Sequence, residues 1–515
     1  MATSPCYRKA TLILFRMRRV PSTFTPPVML DRRDERPIYR QLYDWLRAAI
    51  TEGRMRPGQR LPSTRSLAGE LQISRISVFN AYEQLQSEGY LETFTGSGTC
   101  VARTIPDDTL DASPDRNRRR PQAAAGPAPR RVSARVSALL NVSSEAWLHN
   151  LGAFRVSLPA LDQFPIELWS RLVTRHSRIL SRAIMAYGDT MGYVPFREAI
   201  AEYLGTFRGV RCDASQILVT TGSQQALQIA AQVLLNPGDP LLLEEPGYPG
   251  ARVAFASVGA RFVPIPIDSE GIVVSKVNAR TNNARVTYVT PSHQYPLGVT
   301  MSAARRISLL NWAARSGSWI IEDDYDSEYR FTSRPIASLQ GLDAHCRVIY
   351  IGTFSKVLFP ALRLGYMVVP KDLVSAFAAA RDAADIFSST LYQAVLTDFI
   401  REGHFARHIR RMRMLYMDRR KALVRAIEAQ LGDIVEIIGA EAGLHLVALL
   451  PPGIDDVTVS KQAAQDGISA MPLSTCYLKP RARGGLILGY GGVSARQTHE
   501  GINTLRKSLK RCMPS

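Results

Sequence analysis

The sequence predicts an α/β protein in two parts, a small N-terminal unit of helices and a β-hairpin, then a large unit built on a mostly parallel sheet. Helical spacing with serine start signals occurs before residue 90, a Pro-, Ala- and Arg-rich stretch follows, and from about residue 147 short apolar runs alternate with helix-length segments. We place an N-terminal extension, predicted to be disordered, at 1–34, the small unit at 35–103, a linker at 104–145 and the large unit at 146–515. A smaller C-terminal α+β subdomain is expected from about 400 to 515.

Composition bounds the class of protein. The chain has 515 residues, 46% of them hydrophobic and 21% charged, which is typical of a globular protein. No apolar run reaches the roughly 18 residues of a membrane span. The six cysteines show no paired spacing, so we predict neither a metal site nor disulfides, and a cytoplasmic location fits best.

Positive charge is concentrated towards the N-terminus. The net charge is +19, and the first 145 residues hold 23 Lys and Arg against 14 Asp and Glu. This asymmetry indicates a polyanionic partner for the N-terminal part, although ordinary solubilising charge is the alternative. The basic N-terminus superficially resembles a transit peptide, but its apolar run is short, and Met17 or Met29 could equally be the start.

Three helices and a hairpin are predicted in the small unit. The first helix covers Pro37 to Ile50, Ser63 caps a second helix and Ser74 caps a third. After Gly89, two short strand-like runs flank a Gly-containing turn. Two short helices joined by a tight turn and followed by a hairpin form a winged helix-turn-helix.

In such a motif the third helix lies in the major groove of DNA. The contacts predicted from position and side-chain chemistry are Arg65, Ser74, Arg75, Ser77, Asn80, Gly96 and Gly98. The runs Leu-Pro-Ser-x-Arg, Ser-Arg, Ala-Tyr-x-x-Leu, Glu-Gly-Tyr and Gly-x-Gly-Thr, in register, resemble the winged helix of GntR-type regulators. The resemblance implies operator DNA as a partner, and a small protein-interaction domain is the alternative.

Six buried strands are predicted in the large unit. They are Ile217 to Thr221, Leu241 to Glu244, Val286 to Thr290, Trp319 to Glu322, Val348 to Ile351 and Leu364 to Val369. Because they are apolar on both faces and separated by helix-length segments, they favour a parallel sheet covered on both sides. Ligands bind beyond the carboxyl ends of such strands, where the polar clusters of this chain lie.

Lys356 is the residue expected to carry the chemistry. It lies among small residues and hydroxyls after a buried strand, where a desolvated amine can become nucleophilic and hold an aldehyde cofactor as a Schiff base. Thr353, Ser355 and Arg363 are predicted to bind a phosphate, together with the helix N-terminus at Ser223 and Gln224. A surface lysine after a strand is the alternative for an isolated Ser-Lys pair.

Three further side chains suit an aromatic cofactor ring. Asp323 ends an apolar strand, so its carboxylate could pair with a pyridinium nitrogen. Tyr325 could hydrogen-bond a ring hydroxyl, and Tyr248 is placed to stack on the ring. Taken singly, a capping acid and a core aromatic are the alternatives for Asp323 and Tyr248.

Together these motifs carry a family resemblance. Thr-Gly-Ser-Gln-Gln-Ala-Leu, Glu-Pro-Gly-Tyr-Pro-Gly, Glu-Asp-Asp-Tyr-Asp and Gly-Thr-Phe-Ser-Lys resemble fold-type I aminotransferases, and the chain from about residue 35 resembles the MocR subfamily of GntR regulators. The resemblance implies a homodimer that binds pyridoxal 5′-phosphate at Lys356. It also implies a phosphate site at Ser223, Gln224, Ser355 and Arg363, with Tyr187 of the other subunit, and ring contacts from Asp323 and Tyr325.

Two departures from the aminotransferase pattern bear on catalysis. The chain has Tyr295-Pro296-Leu297-Gly298 where aminotransferases carry Asn-Pro-x-Gly, so the asparagine donor to the ring oxygen is absent. His293 or Gln294 could substitute. The arginine that grips a substrate carboxylate has only Arg481 and Arg483 as nearby candidates, both in a Pro- and Gly-rich loop.

The function expected from the resemblance is transcription regulation. The large unit would sense pyridoxal phosphate, or an amine or amino acid effector that forms an external aldimine with it. One alternative is an active aminotransferase with an accessory DNA-binding module, and another is a repressor with an inert pocket. The sequence names neither effector nor operator.

Overall fold

The computed structural model describes residues 30–104 without 33 and 95–97, isolated positions at 133, 136 and 139, and residues 152–513 without 180, 278–282, 332–336, 440 and 480–482. Its contacts divide the chain into two compact units, Met1–Pro129 and Arg130–Ser515. The division falls within the stretch predicted as a linker. Most of that stretch, and the predicted extension up to residue 29, lies outside the described residues, so the domain boundaries stay predictions.

The first unit contains the expected three helices and hairpin. These are α1 (Ile38–Thr51), α2 (Thr64–Leu71), α3 (Arg75–Ser87), β1 (Leu91–Phe94) and β2 (Gly98–Val101), the two strands pairing antiparallel. The Ser63 hydroxyl accepts the Ser66 N–H at 3.2 Å and the Ser74 hydroxyl accepts the Ser77 N–H at 3.1 Å. Both predicted serine caps are therefore confirmed, each satisfying an N–H that has no partner inside its helix.

One apolar core joins the three helices to the hairpin. Leu42 and Leu46 of α1 pack with Val78 and Leu85 of α3, and Val101 of β2 closes the cluster. Each of these side chains is buried, which contributes about 1.5–3 kcal/mol of transfer free energy apiece. Since the core uses only one face of α3, the opposite face of that helix points away from it.

The second unit is organised around an eight-stranded sheet in the order β3-β10-β9-β8-β7-β4-β5-β6. Its strands are β3 (Ile217–Thr220), β4 (Pro240–Glu245), β5 (Arg261–Asp268), β6 (Gly271–Ile272), β7 (Val286–Val289), β8 (Trp319–Asp324), β9 (Val348–Thr353) and β10 (Gly365–Val368). Its helices are α4 (Ile166–Arg178), α5 (Arg182–Met185), α6 (Val194–Arg208), α7 (Ser223–Leu234), α8 (Pro249–Ala256), α9 (Ala303–Ser316), α10 (Leu339–Leu342), α11 (Val374–Asp385) and α12 (Thr390–Arg401).

The pairing within this sheet is mostly parallel. β5, β4, β7, β8 and β9 run parallel to one another, whereas β10 is antiparallel to both β9 and β3, and β6 is antiparallel to β5. Every residue of β3, β4, β7, β9 and β10 is buried. The six strands predicted from apolar runs are confirmed, because strands covered on both faces are apolar throughout.

β5 was missed by sequence reasoning. Its sequence, Arg-Phe-Val-Pro-Ile-Pro-Ile-Asp, contains Pro264 and Pro266, which cannot donate a ladder hydrogen bond and argue against a central strand. In the fold, β5 pairs along its length with β4, while β6 pairs only with Ile267 and Asp268. The two prolines are therefore tolerated because this strand lies near the edge of the sheet.

A second, antiparallel sheet forms the smaller subdomain. It has the order β11 (Glu436–Ile438), β12 (His445–Leu449), β14 (Gly485–Gly489) and β13 (Met471–Pro472). The helices α13 (His404–Leu431), α14 (Asp456–Gln465) and α15 (Ala495–Cys512) pack around a core that includes Leu423, Leu446, Leu488 and Leu505. The predicted fold class, with its C-terminal α+β subdomain, is confirmed. None of the described helices is both long and apolar enough to cross a membrane.

Candidate functional site

The polar clusters predicted from sequence meet at one edge of the eight-stranded sheet. They follow the carboxyl ends of β3, β4, β7, β8 and β9, strands that share one direction. The antiparallel strand β10 starts at this same edge, so Arg363, two residues before it, also lies there. The topology therefore gathers side chains that are up to about 140 positions apart in sequence.

The N-terminus of α7 is the predicted phosphate end of the site. Gly222 precedes the helix with φ +117°, and a Cβ atom at this position would lie 3.4 Å from both terminal nitrogens of Arg363. The guanidinium of Arg363 therefore sits against the free N–H groups of the first turn at Ser223. Main-chain N–H groups and a guanidinium together form a site for a phosphate.

The other residues predicted for this phosphate end have internal partners. The Gln224 side chain donates to the Gly250 carbonyl at 3.0 Å, which ties α7 to the first turn of α8. The Thr353 hydroxyl accepts the Ser355 N–H at 3.2 Å, and both residues are buried. The contact between Thr353 and Ser355 holds the loop that leads into Lys356. The phosphate-binding role of Gln224, Thr353 and Ser355 stays a prediction.

Lys356 is half-buried beside the N-terminal segment of the unit. Its Nζ atom lies 3.4 Å from the carbonyl oxygen of Ser157. Ser157 has φ +68°, an uncommon value for a non-glycine residue, and it turns its carbonyl towards the lysine. The positive charge of Lys356 acts on both Asp323 and His445, which places the amine within the same pocket.

Asp323 presents an unused acceptor to this pocket. Its Oδ2 atom accepts the Tyr288 hydroxyl at 2.8 Å, whereas its buried Oδ1 atom has no hydrogen-bond partner among the described residues. Burial raises the pKa of Asp323 to about 7, against the opposing effects of the Tyr288 hydrogen bond and the Lys356 charge. A buried acceptor left without a partner costs about 1–3 kcal/mol, so a ligand donor such as a protonated pyridine nitrogen fits this position.

Asp323 should make the stability of the cofactor-free protein depend on pH. Its pKa of about 7 in the fold exceeds the ordinary 3.8, so the folded state retains a proton that the unfolded chain releases. The stability contributed by this proton is complete below about pH 4 and is lost as the pH rises to about 7. Asp323→Asn, which cannot ionise, is expected to exceed the wild type in unfolding free energy by roughly 4 kcal/mol at pH 8 but not at pH 4. Urea unfolding at both pH values measures the difference, and parallel pH profiles would contradict the assignment.

Tyr325 is held by a histidine and an aspartate. Its hydroxyl lies 2.9 Å from His293 Nδ1 and 2.9 Å from the His293 carbonyl oxygen. His293 Nδ1 also lies 3.1 Å from both carboxylate oxygens of Asp326. His445 completes the cluster, with ligand-capable atoms of His293, Asp326 and His445 all within 4.8 Å of one another. Sequence reasoning did not find this network, since its members are separated by up to about 150 positions.

Gly443 makes room for this network. It has φ +76°, and an added Cβ atom would lie 2.1 Å from the His293 ring and 2.5 Å from an Asp326 carboxylate oxygen. Burial lowers the pKa of His445 to about 3, and its Nε2 atom lies 3.0 Å from the Pro296 carbonyl, to which it donates when neutral. The ring of His445 is therefore a neutral support for His293, with ring centroids 5.1 Å apart.

The two residues predicted to replace the absent asparagine, His293 and Gln294, have different contacts. The Gln294 amide donates to the carbonyls of Pro246 and Tyr295, and its oxygen accepts the Leu297 N–H. Gln294 is thus committed to the loop after β7. His293 acts on Tyr325, so of the two candidates only His293 contacts a residue expected to touch the cofactor ring.

Tyr248 belongs to an aromatic group beside Tyr325. Its ring is 5.4 Å from that of Tyr295 at an interplanar angle of 77°, and the Tyr295 ring is 6.0 Å from that of Tyr325.

Of the two arginines considered for binding a substrate carboxylate, Arg483 has other partners. It pairs with Glu436 at 2.7 Å and donates to the Leu450 carbonyl, so it holds the C-terminal sheet. Arg481 lies outside the described residues.

The residues predicted to contact DNA divide by exposure. Arg65, Ser74, Arg75 and Asn80 are exposed, whereas Ser77 is half-buried. Ser74 and Ser77 share a hydrogen bond of 2.9 Å between their hydroxyls, in addition to the helix cap. In the wing, Gly98 has φ +83° with open space around it, and Gly96 lies outside the described residues.

Comparison with known proteins gives the same two-part organisation. Residues 38–101 match the model of the family described as bacterial regulatory proteins, gntR family, and residues 163–486 match that of aminotransferase class I and II. The aminotransferase match, covering well over half of the chain, includes Lys356 and Asp323. The GntR match covers the three helices and the hairpin.

Curated relatives extend this likeness over nearly the full chain. The chain is 40% identical to a probable rhizopine catabolism regulatory protein, MocR, of Rhizobium meliloti, over 94% of this chain and 96% of that protein. It is 29% identical to the pyridoxine biosynthesis transcriptional regulator PdxR of Corynebacterium glutamicum, over 90% and 94%.

A solved structure matches the larger unit. α-Aminoadipate aminotransferase LysN of Thermus thermophilus, complexed with N-(5′-phosphopyridoxyl)-L-leucine, matches with a TM-score of 0.68 and 28% identity over 73% of this chain and 97% of that one. The aminotransferase fold implies pyridoxal 5′-phosphate, and the orphaned carboxylate oxygen of Asp323 fits it. The chain therefore belongs to the MocR subfamily of GntR-type transcriptional regulators, in which a winged helix-turn-helix precedes an aminotransferase-like domain.

Proposed function

We propose that this regulator binds operator DNA and responds to pyridoxal 5′-phosphate, or to an amine or amino acid that reacts with it. The observation that carries the proposal is the buried, unpartnered Oδ1 atom of Asp323, with Lys356 in the same pocket. Most buried polar atoms in proteins have a hydrogen-bond partner, and this oxygen lies in the same pocket as a lysine amine, so a ligand donor is a natural partner for it.

The residues of the pocket have distinct roles in this proposal. The N-terminus of α7 and Arg363 would hold the phosphate, and Asp323 would pair with the ring nitrogen. Tyr325, oriented by His293, would hydrogen-bond the ring oxygen, and Tyr248 would cover the ring. When bound, pyridoxal phosphate supplies an aldehyde that condenses with a primary amine, either that of Lys356 or that of an effector.

Both effector classes have support among the relatives. One relative is named for pyridoxine biosynthesis and another for rhizopine catabolism, so the same architecture regulates different pathways. The LysN complex contains an amino acid joined to the phosphopyridoxyl group. An effector amine that releases Lys356 would change the contacts of that side chain, including the one to Ser157.

The response would reach DNA through a homodimer. Tyr187, expected at the phosphate of the other subunit, is 84% exposed and contacts the ring of Phe387, so it is available to a second copy. In a dimer, two winged helices would bind two half-sites, and a change in their spacing would change operator affinity. Since this function requires access to the chromosome, we place the protein in the cytoplasm.

Arg65→Ala and Arg75→Ala test the DNA-binding side. Each should weaken operator binding by roughly 1–3 kcal/mol if the arginine contacts a base, or reduce the salt dependence if it contacts a phosphate. Arg315→Ala, which removes an exposed arginine of α9, serves as the control and should bind like the wild type. Titration at several salt concentrations separates the two kinds of contact, and unchanged binding in both variants would place the DNA elsewhere.

A second candidate function is aminotransferase activity with an accessory DNA-binding module. The likeness to LysN and the convergence of Lys356 with Asp323 favour it. Sustained turnover with a 2-oxo acid acceptor would support this alternative, whereas a single half-reaction would not. If the purified protein binds no pyridoxal phosphate, both functions fail, and the remaining interpretation is an operator-binding module attached to an inert scaffold.

A further inference from the structure

The outward face of α3 carries two exposed apolar side chains. Ile76 is 69% exposed and Phe79 is 51% exposed. Residues three apart on a helix are neighbours, with Cβ atoms about 5–6 Å apart, so the two side chains form one surface. We call Ile76 and Phe79 the apolar patch of α3.

Ile76 lies at the centre of the outward face. The buried face of α3 is formed by Val78, Ala81, Tyr82 and Leu85. With 3.6 residues per turn, or about 100° per residue, Ile76 is directly opposite the middle of that face, whereas Arg75 and Ser77 lie on its two sides. Ile76 is also the second residue of α3, within the N-terminal turn that contacts base edges in helix-turn-helix proteins.

The charges around the patch indicate what covers it. Arg65 and Arg75, predicted to contact DNA, are both exposed, and Asn80 is exposed on the same side as Ile76. Exposed guanidinium groups on α2 and on α3 itself favour a polyanion over a purely apolar protein surface. In the major groove, the apolar feature that a side chain can contact is the C5-methyl group of thymine.

We propose that the apolar patch of α3 reads thymine in the operator, with Ile76 against the C5-methyl group and Phe79 extending the apolar surface beside it. The inference rests on the proposed DNA-binding function and adds the base that is recognised. Ile76 is then a specificity-determining residue, in addition to the arginines that position the helix on the duplex.

Deoxyuridine substitution tests this proposal. The operator is first selected from random duplexes with the full-length protein, and each thymine is then replaced singly by deoxyuridine, which keeps the base-pairing edge but lacks the methyl group. At one thymine in each half-site, the substitution should raise the Kd about fourfold. This factor corresponds to the transfer free energy of one buried methylene group. Substitution at the remaining thymines should have no comparable effect.

Variants connect the effect to the patch. Ile76→Ala should bind thymine and deoxyuridine operators equally, because the side chain that contacts the methyl group is gone. The matched control is Ile307→Ala, an isoleucine on α9 of the large unit that is 47% exposed, and it should keep the fourfold difference.

The outcomes separate this inference from the function on which it rests. Wild-type protein that binds thymine and deoxyuridine alike at every position would overturn thymine reading while leaving DNA binding intact. A fourfold difference that persists in Ile76→Ala would assign the methyl contact to another residue and also overturn it. Failure to select any duplex would refute both the inference and the DNA-binding function.

Discussion

Replacing Lys356 with alanine is expected to abolish the covalent attachment of pyridoxal phosphate and the response to effector, while DNA binding remains measurable. The amine is the nucleophile proposed to condense with the aldehyde, and it lies in the pocket with Asp323. The DNA-contacting residues belong to a separate compact unit, so the loss of one amine should leave their fold intact. Visible absorbance and the mass of borohydride-reduced protein report the attachment, and operator titration reports DNA binding.

The control for this experiment is Lys371→Ala. Lys371 is an exposed lysine of the same unit that pairs with Asp213 at 2.8 Å, and its removal should leave both absorbance and mass shift unchanged. A mass shift that persists in Lys356→Ala would show that another amine carries the cofactor. Wild-type protein without any adduct, prepared with pyridoxal phosphate present, would contradict the sensing function itself.

Replacing Arg208 with leucine is expected to destabilise the large unit by about 3–5 kcal/mol. The Arg208 Nε atom lies 2.7 Å from Asp324 Oδ2, and the two side chains are only 4% and 1% exposed. Arg208 also donates to the Ser292 hydroxyl at 2.8 Å, so it joins α6 to the ends of β7 and β8. Without the arginine, the carboxylate of Asp324 keeps the hydrogen bond from the Tyr350 hydroxyl but remains buried with no counter-charge.

A surface ion pair provides the comparison for Arg208. Arg401 and Glu198 pair at 2.9 Å with side chains 42% and 48% exposed, and Arg401→Leu should cost less than about 1 kcal/mol. The double variant Arg208→Leu/Asp324→Leu should recover much of the lost stability, because no buried charge is left alone. Urea unfolding midpoints measure all three variants, and equal losses for Arg208→Leu and Arg401→Leu would contradict the buried-charge argument.

Much of the fold was predictable because its signals are local. Ser63 and Ser74 marked helix starts, and both serines cap helices in the structure. Continuous apolar runs such as Val348 to Ile351 indicated strands buried on both faces, and this run lies within β9 (Val348–Thr353). β5 was missed for the same reason. Pro264 and Pro266 are local signals against a strand, and they are tolerated only because β5 lies near the edge of the sheet.

The candidate site was only partly predictable. Lys356, Asp323 and Arg363 stand in recognisable motifs, and the topology brings them to one edge of the sheet. The hydrogen bond from Tyr288 to Asp323 and the contact of His293 with Tyr325 link residues that are 35 and 32 positions apart. No sequence pattern marked these pairs.

By itself, the sequence determined the order of the two units, the periodicity of their helices and strands, and the residue types placed at strand ends, because these properties depend on neighbours a few positions apart. Only the tertiary structure decided that Asp323 keeps a buried oxygen without a partner, that His293 supports Tyr325, and that Ile76 faces outwards from α3. Burial and hydrogen-bond partnership are set by which distant segments pack together, and that packing is a property of the whole folded unit.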